Sequence, residues 1–169
     1  MKYKHKIFRG KILDVSTKKI RLPNGYVTRI DIIKHPGAVL MAPFLSKDKV
    51  IMLKQFRPVI GAYIYELPAG TLEKNENPLV CARREMIEET GYKTEKITKL
   101  GFIVPVPGYS TEKIFIYKAE KLSKTKRLHQ KDEVIETLIK SKKEIRQLFK
   151  AGKIIDAKTI SAFTMCGWL

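Results

Sequence analysis

The sequence predicts an α+β fold, and three observations carry that reading. Apolar runs of strand length and amphipathic runs of helix length are intermixed without a regular βαβ alternation. Two β-rich runs flank Pro23-Asn24-Gly25, a strong hairpin pattern. A helix over Pro78–Thr90 is punctuated at both ends, by Asn77 as N-cap, Pro78 at the first helical position and Gly91 as the stop.

The elements follow in order. Residues 1 to about 37 read as a small antiparallel β unit, clearest in runs 18–22 and 26–33 on either side of the Pro-Asn-Gly turn. Runs 38–45 and 50–56 are apolar strands joined by the polar turn Ser46-Lys47-Asp48-Lys49. Residues 62–67, 114–119 and 134–138 are further strand candidates. After the helix at 78–90, a second covers about 142–151 and ends at Gly152, and a third covers about 157–168. No internal repeat or low-complexity linker appears. The expected division is a β unit at 1–37 and a main domain at 38–169.

A chain of 169 residues, 44% hydrophobic and 30% charged, has the composition of a globular protein. No apolar run reaches the length of a transmembrane helix, and no apolar stretch follows the basic start MKYKHKIFRG, so neither a membrane span nor a secretory signal is expected. Cys81 and Cys166 form neither a disulfide framework nor a zinc spacing, and a reducing cytoplasm is the expected location. The formal charge is +17, from 34 Lys and Arg against 17 acids. Such a balance favours encounter with anions, either nucleic acid or a small phosphorylated substrate. The lysines are scattered rather than gathered in a tail, which also fits an ordinary solvated surface.

The chemistry concentrates in the first helix. At about 100° per residue, Glu85, Glu88 and Glu89 share roughly one third of its circumference. Leu79, Ala82 and Met86 line a neighbouring face suited to packing on a sheet. Like charges so placed repel, and selection for helix stability alone would separate them. Hard divalent cations take oxygen ligands, so the cluster suits Mg²⁺ or Mn²⁺. Arg84 adjoins it and is placed to orient a carboxylate through a bidentate contact. A solvated acidic face is the bland alternative.

A longer pattern sets that alternative aside. Gly70, Glu76, Arg84, Glu85, Met86, Glu88, Glu89 and Gly91 fit G-x5-E-x7-R-E-U-x-E-E-x-G-U, where U is a bulky apolar residue. Tyr92 at the final position is aromatic rather than aliphatic. This is the Nudix box, and on these residues the chain resembles the Nudix hydrolase superfamily. Within it, Arg21-Leu22-Pro23-Asn24-Gly25, His35-Pro36-Gly37-Ala38-Val39, Gln55-Phe56-Arg57-Pro58, Tyr65-Glu66-Leu67-Pro68-Ala69-Gly70 and Pro107-Gly108-Tyr109-Ser110-Thr111-Glu112 look like the ADP-ribose pyrophosphatase group.

The resemblance implies an α/β/α sandwich around a mixed sheet, and a homodimer formed with help from the N-terminal unit. It makes Glu85 and Glu89 metal ligands, Glu88 a ligand or a water-orienting group, and the Ala69 carbonyl a further ligand. Arg57 would hold a phosphate, with a surface salt bridge as its bland alternative. Glu66 and Glu112 would lie near the metal or substrate, and Pro107 and Gly108 in a substrate loop. Glu133 best fits the glutamate on a later loop that serves as general base, and Glu88 is its rival. His129, nearby, reads as polar surface. The implied reaction is metal-dependent hydrolysis of the pyrophosphate bond of ADP-ribose to AMP and ribose 5-phosphate. The alternatives are another nucleoside diphosphate sugar, such as a GDP-sugar, and an RNA 5′-pyrophosphohydrolase or RNA-binding protein. No RNP-like aromatic motif or basic repeat supports RNA.

Overall fold

The computed structural model of the chain describes residues 4–10, 12–127 and 134–169. Strands β1 (Lys4–Arg9), β2 (Asp14–Arg21) and β3 (Val27–Lys34) form a separate antiparallel sheet in the order β1-β2-β3. The β2–β3 turn carries the expected chemistry. Gly25 sits at φ 85°, and the Asn24 side chain accepts from Tyr26 N at 3.0 Å. This sheet has almost no interior of its own, and Ile7, Phe8, Ile12, Leu13 and Tyr26 are exposed on it or beside it. It joins the main body through Ile33, whose N–H donates to the Tyr109 carbonyl at 2.7 Å.

The main sheet is mixed. Its path runs β10 (Ile135–Ser141), β5 (Lys49–Arg57), β4 (Ala38–Ser46), β9 (Ile114–Lys124), β8 (Tyr92–Ile103). Two short strands join off this path, β6 (Ala62–Glu66) on β5 and β7 (Ala69–Thr71) on β4. The β4–β9 pair is parallel, while the other pairs are antiparallel.

The period-two alternation of β4 builds a sandwich. Val39 and Met41 pack with Cys81, Ala82 and Met86 of helix α1 (Pro78–Thr90) on one face. Leu40, Ala42 and Phe44 pack on the opposite face with Ile145 of α2 (Lys142–Lys150) and Ala162 and Phe163 of α3 (Ala157–Met165). A central strand buried on both faces explains why run 38–45 is apolar throughout.

Three expectations need correction. Leu79 is 40% exposed, and Cys81 takes the place expected for it against the sheet. The third helix stops at Met165 rather than near 168. Gly167 turns the chain at φ 66°, and Trp168 folds back to stack on Phe163 and to meet the Phe44 ring edge-on at 4.9 Å. Strand β8, twelve residues long, lay outside the strand candidates. It borders the sheet with much of its length exposed, and its pairing slips between Lys99 and Gly101, so lysines and a bulge mask its alternation.

Helix α2 opens with a capping box that has a pH signature. Glu144 accepts from Ser141 N at 2.9 Å and from Lys140 Nζ at 3.0 Å. The Ser141 backbone N–H, then Lys140, then the Ser141 hydroxyl hold this carboxyl at about 2, against an ordinary 4.5. A carboxyl depressed on folding stabilises the fold fully above its unfolded pKa and ceases to do so as pH falls through the folded one. Glu144→Ala is therefore expected to cost about 1 kcal/mol at pH 7. Urea unfolding at stepped pH should show that the wild-type advantage fades between about pH 5 and pH 2.

Candidate active site

The loop from β7 into α1 gathers the carboxylates. Asn77 caps α1 by accepting from Leu79 N at 2.8 Å, and Gly91 closes it at φ 71°. Packing of Cys81, Ala82 and Met86 on the sheet leaves Arg84, Glu85, Glu88 and Glu89 along the side of the helix that meets the loop. Glu85 is 7% exposed and Glu89 is 3% exposed.

Two contacts seat these side chains against the backbone of residues 69–70. Glu89 Oε2 accepts from Ala69 N at 2.8 Å. Glu85 lies so close to Gly70 that a Cβ at that position would stand 1.9 Å from its carboxyl carbon. Gly70 is thus required by close approach, since a side chain there and the Glu85 carboxylate cannot share the space.

Arg84 is the organising cation. Its Nε and Nη2 reach both oxygens of Glu76 at 3.0 Å each, and its Nη1 reaches Glu85 at 2.7 Å and Glu88 at 3.1 Å. The bidentate contact expected of Arg84 therefore falls on Glu76, with single bonds to the helix glutamates. Hydrogen bonding to Arg84 holds the Glu76 carboxyl down at about 2, and the same contact raises the Arg84 pKa, so both stay charged. Burial pushes the neighbouring Cys81 thiol up to about 12 and keeps it neutral.

Among the described residues, no three Asp, Glu, His or Cys side chains form a ready-made cation cage. The donor set nonetheless fits a hard divalent ion. Two buried carboxylates, Glu85 and Glu89, crowd the backbone of residues 69–70, and Glu88 shares Arg84 with Glu85, so all the side-chain donors are oxygens.

A cleft of about 370 Å³ opens on this loop, with Ala69 and Gly70 on its lining. Arg57 and Glu112 also line it. Arg57 Nε donates to Glu66 Oε2 at 2.8 Å, and Glu66 is 2% exposed. The Arg57 salt bridge is thus real, but its partner is buried. Glu112 lies 3.9 Å from His35 Nδ1. Pro107 and Gly108 are not brought into this lining. They belong to the turn closed by Ser110 N donating to Val106 O at 3.0 Å. Glu133 and His129 lie outside the described residues.

Two residues at the start of α3 were absent from the expected set. Lys158 lines the cleft and donates to Glu66 Oε1 at 2.5 Å and to Asp156 Oδ1 at 2.8 Å. Asp156 caps α3 through Thr159 N at 3.0 Å. The buried Thr159 hydroxyl in turn accepts from Leu67 N at 2.9 Å, which ties α3 to the strand end preceding Ala69. The only local signal for this group is a helix N-cap, which says nothing about a cleft.

The glutamate helix, the glycine that admits Glu85 and the arginine that binds Glu76 form one structure, and a defined sequence pattern describes it. The NUDIX domain pattern matches residues 34–163. The chain belongs to the NUDIX family. This Nudix protein is 39% identical over 161 residues to an ADP-ribose pyrophosphatase of Bacillus subtilis (strain 168), covering 94% of this chain and 87% of the relative. It is 36% identical to a methanol dehydrogenase activator of Bacillus methanolicus, covering 92% of this chain and 85% of that one. A crystal structure of an ADP compounds hydrolase superposes with a TM-score of 0.83 over 97% of this chain and 89% of its own, at 18% identity, so it shares the fold. The chain is a Nudix pyrophosphohydrolase, and its family works with divalent cations. Among the described residues, no helix of this hydrolase is long and apolar enough to cross a membrane.

Proposed function

We propose that this Nudix hydrolase cleaves the pyrophosphate bond of ADP-ribose to AMP and ribose 5-phosphate, using Mg²⁺ or Mn²⁺. The observation that carries the reading is the seating of Glu85 and Glu89 against the backbone of residues 69–70 beside a cleft lined by Arg57. The 39% identity to the Bacillus subtilis ADP-ribose pyrophosphatase supports the substrate.

Glu85, Glu89 and the Ala69 carbonyl would hold the cation, with Glu88 as a further ligand or a water-orienting group. When bound, a divalent ion neutralises phosphate charge and makes a bound water more acidic. Arg84 orients the glutamates and offsets their mutual repulsion. Arg57 uses Nε on Glu66, and its two Nη groups make no hydrogen bond to the described residues, so that fork is available to a phosphate oxygen. Glu112 on the cleft wall, together with Pro107 and Gly108 in the preceding turn, would contact the substrate. In the reaction a carboxylate takes a proton from water, the water oxygen bonds to one phosphorus, and the bridging P–O bond breaks. Glu133 is the first candidate for that base and Glu88 the second.

Residues 1–37 would serve as the dimerisation unit of a cytoplasmic homodimer. A three-stranded sheet with exposed Ile7, Phe8 and Tyr26 and no core of its own gains stability by pairing with a second copy. A monomer by sedimentation at micromolar concentration would count against that assembly.

The substrate test measures Mg²⁺-dependent product release from ADP-ribose, GDP-mannose, UDP-glucose, NADH and 5′-triphosphorylated RNA. AMP from ADP-ribose, well above every other compound, is the expected result. Preference for a different nucleotide sugar would keep the chemistry and replace the substrate. Under the same assay Glu133→Gln is expected to lose about 10²–10⁴ in turnover if it is the base. A larger loss in Glu88→Gln would move that role to Glu88.

A further inference from the structure

We propose that Lys158 is a second phosphate-binding cation of the cleft, and that buried Glu66 positions it together with Arg57. The proposal deepens the pyrophosphatase reading and rests on it. It starts from an arrangement in which one carboxylate serves two cations from distant parts of the chain. Glu66, in β6, accepts from Arg57 Nε of β5 at 2.8 Å and from Lys158 Nζ of α3 at 2.5 Å.

A structural ion pair would need only one of these cations. Burial of Glu66 to 2% exposure makes an uncompensated carboxylate costly, and Arg57 alone supplies a countercharge. Glu66 therefore does not by itself require Lys158, which also pairs with Asp156 at 2.8 Å. Both cations line the same cleft, together with Ala69, Gly70 and Glu112.

Donor counting leads to the same place. An ammonium has three N–H groups, and among the described residues Lys158 gives one to Glu66 and one to Asp156, which leaves one. Among the described residues, neither Nη group of Arg57 makes a hydrogen bond. A diphosphate entering the cleft would thus meet a planar fork and a point charge whose positions are set by one buried carboxylate. Because each oxygen of that carboxylate already holds one of the cations, they are kept in place before substrate arrives.

The roots of Lys158 support a fixed position. It lies in the first turn of α3, where Asp156 caps the helix and Thr159 is bonded to Leu67 N. The segment 67–70 that seats Glu89 and Glu85 is therefore tied to the same helix turn that carries Lys158. The relation between this cation and the glutamate cluster is set by the fold rather than by a free surface side chain.

Calorimetric titration of ADP at fixed Mg²⁺ tests this without turnover, since ADP presents the diphosphate but not the second ribose. Lys158→Met is expected to weaken ADP binding by about 10-fold or more. It should also raise KM for ADP-ribose more than it lowers kcat. Lys158→Arg should recover most of the affinity. Lys150→Met, which removes the same charge at the far end of α2, should leave binding unchanged. To separate phosphate binding from simple neutralisation of Glu66, Lys158→Met is also made in a Glu66→Gln background. There the buried charge is gone, and folding does not depend on its counter-ion. Asp156 and the remaining amide oxygen still hold Lys158 there, so weaker ADP binding in that background too would support the proposal. Equal affinity of the two variants there, or no ADP binding by the wild-type chain, would overturn it. A wild-type chain that binds ADP but leaves ADP-ribose intact would overturn only the substrate reading, and the ADP titrations would decide Lys158 as before.

Discussion

Replacing Glu89 with glutamine is expected to reduce turnover of ADP-ribose by more than about 100-fold, because even a partner outside the metal's own ligands is worth about 10- to 100-fold. The substitution is informative because glutamine keeps the shape and an acceptor oxygen. Ala69 N now donates to Glu89 Oε2 at 2.8 Å, and an amide oxygen can receive the same bond. The fold and the loop position should therefore survive, while the negative charge available to a cation disappears. Substrate affinity is expected to change less than kcat, since Arg57 remains in the cleft. Steady-state kinetics across a Mg²⁺ titration make the measurement. Near-normal turnover at saturating Mg²⁺ would remove Glu89 from the metal site.

Gly70→Ala should be nearly as damaging, by a different route. A methyl group there would lie 1.9 Å from both the carboxyl carbon and Oε1 of Glu85, and 2.3 Å from its Cγ. The backbone need not move, because the obstructing atoms are the end of a flexible side chain. Glu85 swings away instead and gives up its seat beside residues 69–70 and its bond from Arg84. The expected loss in kcat is again about 100-fold. The stability cost should stay within about 1–3 kcal/mol, the range for a charged hydrogen bond left unmade. Activity assays paired with urea unfolding would show this split. Normal activity in a well-folded variant would mean that the seat of Glu85 is irrelevant to catalysis.

The two predictions draw on different levels of the molecule. Glu89 is visible as a helix-face carboxylate from spacing alone, because an α-helix converts a three-or-four-residue interval into proximity. The need for Gly70 as a point of close approach appears only when β7 and α1 are docked. The box pattern marks the glycine but not the atom it makes room for.

Local elements and the chemistry of one helix are legible in the sequence. The Pro-Asn-Gly hairpin, the Asn77 and Gly91 ends of α1, the apolar strand β4 and the row Arg84, Glu85, Glu88, Glu89 all follow from short-range rules of turn, cap and periodicity. Strand β8 escaped those rules because an exposed edge strand has few apolar positions to alternate and its bulge breaks the period. Which long-range neighbours share the cleft depends on the packing of the whole fold. Glu66 and Lys158 are 92 residues apart, and no local preference encodes their contact. It arises because β6 pairs with β5 while α3 packs across the sheet, and that packing brings Lys158 to a buried carboxylate that Arg57 already pairs.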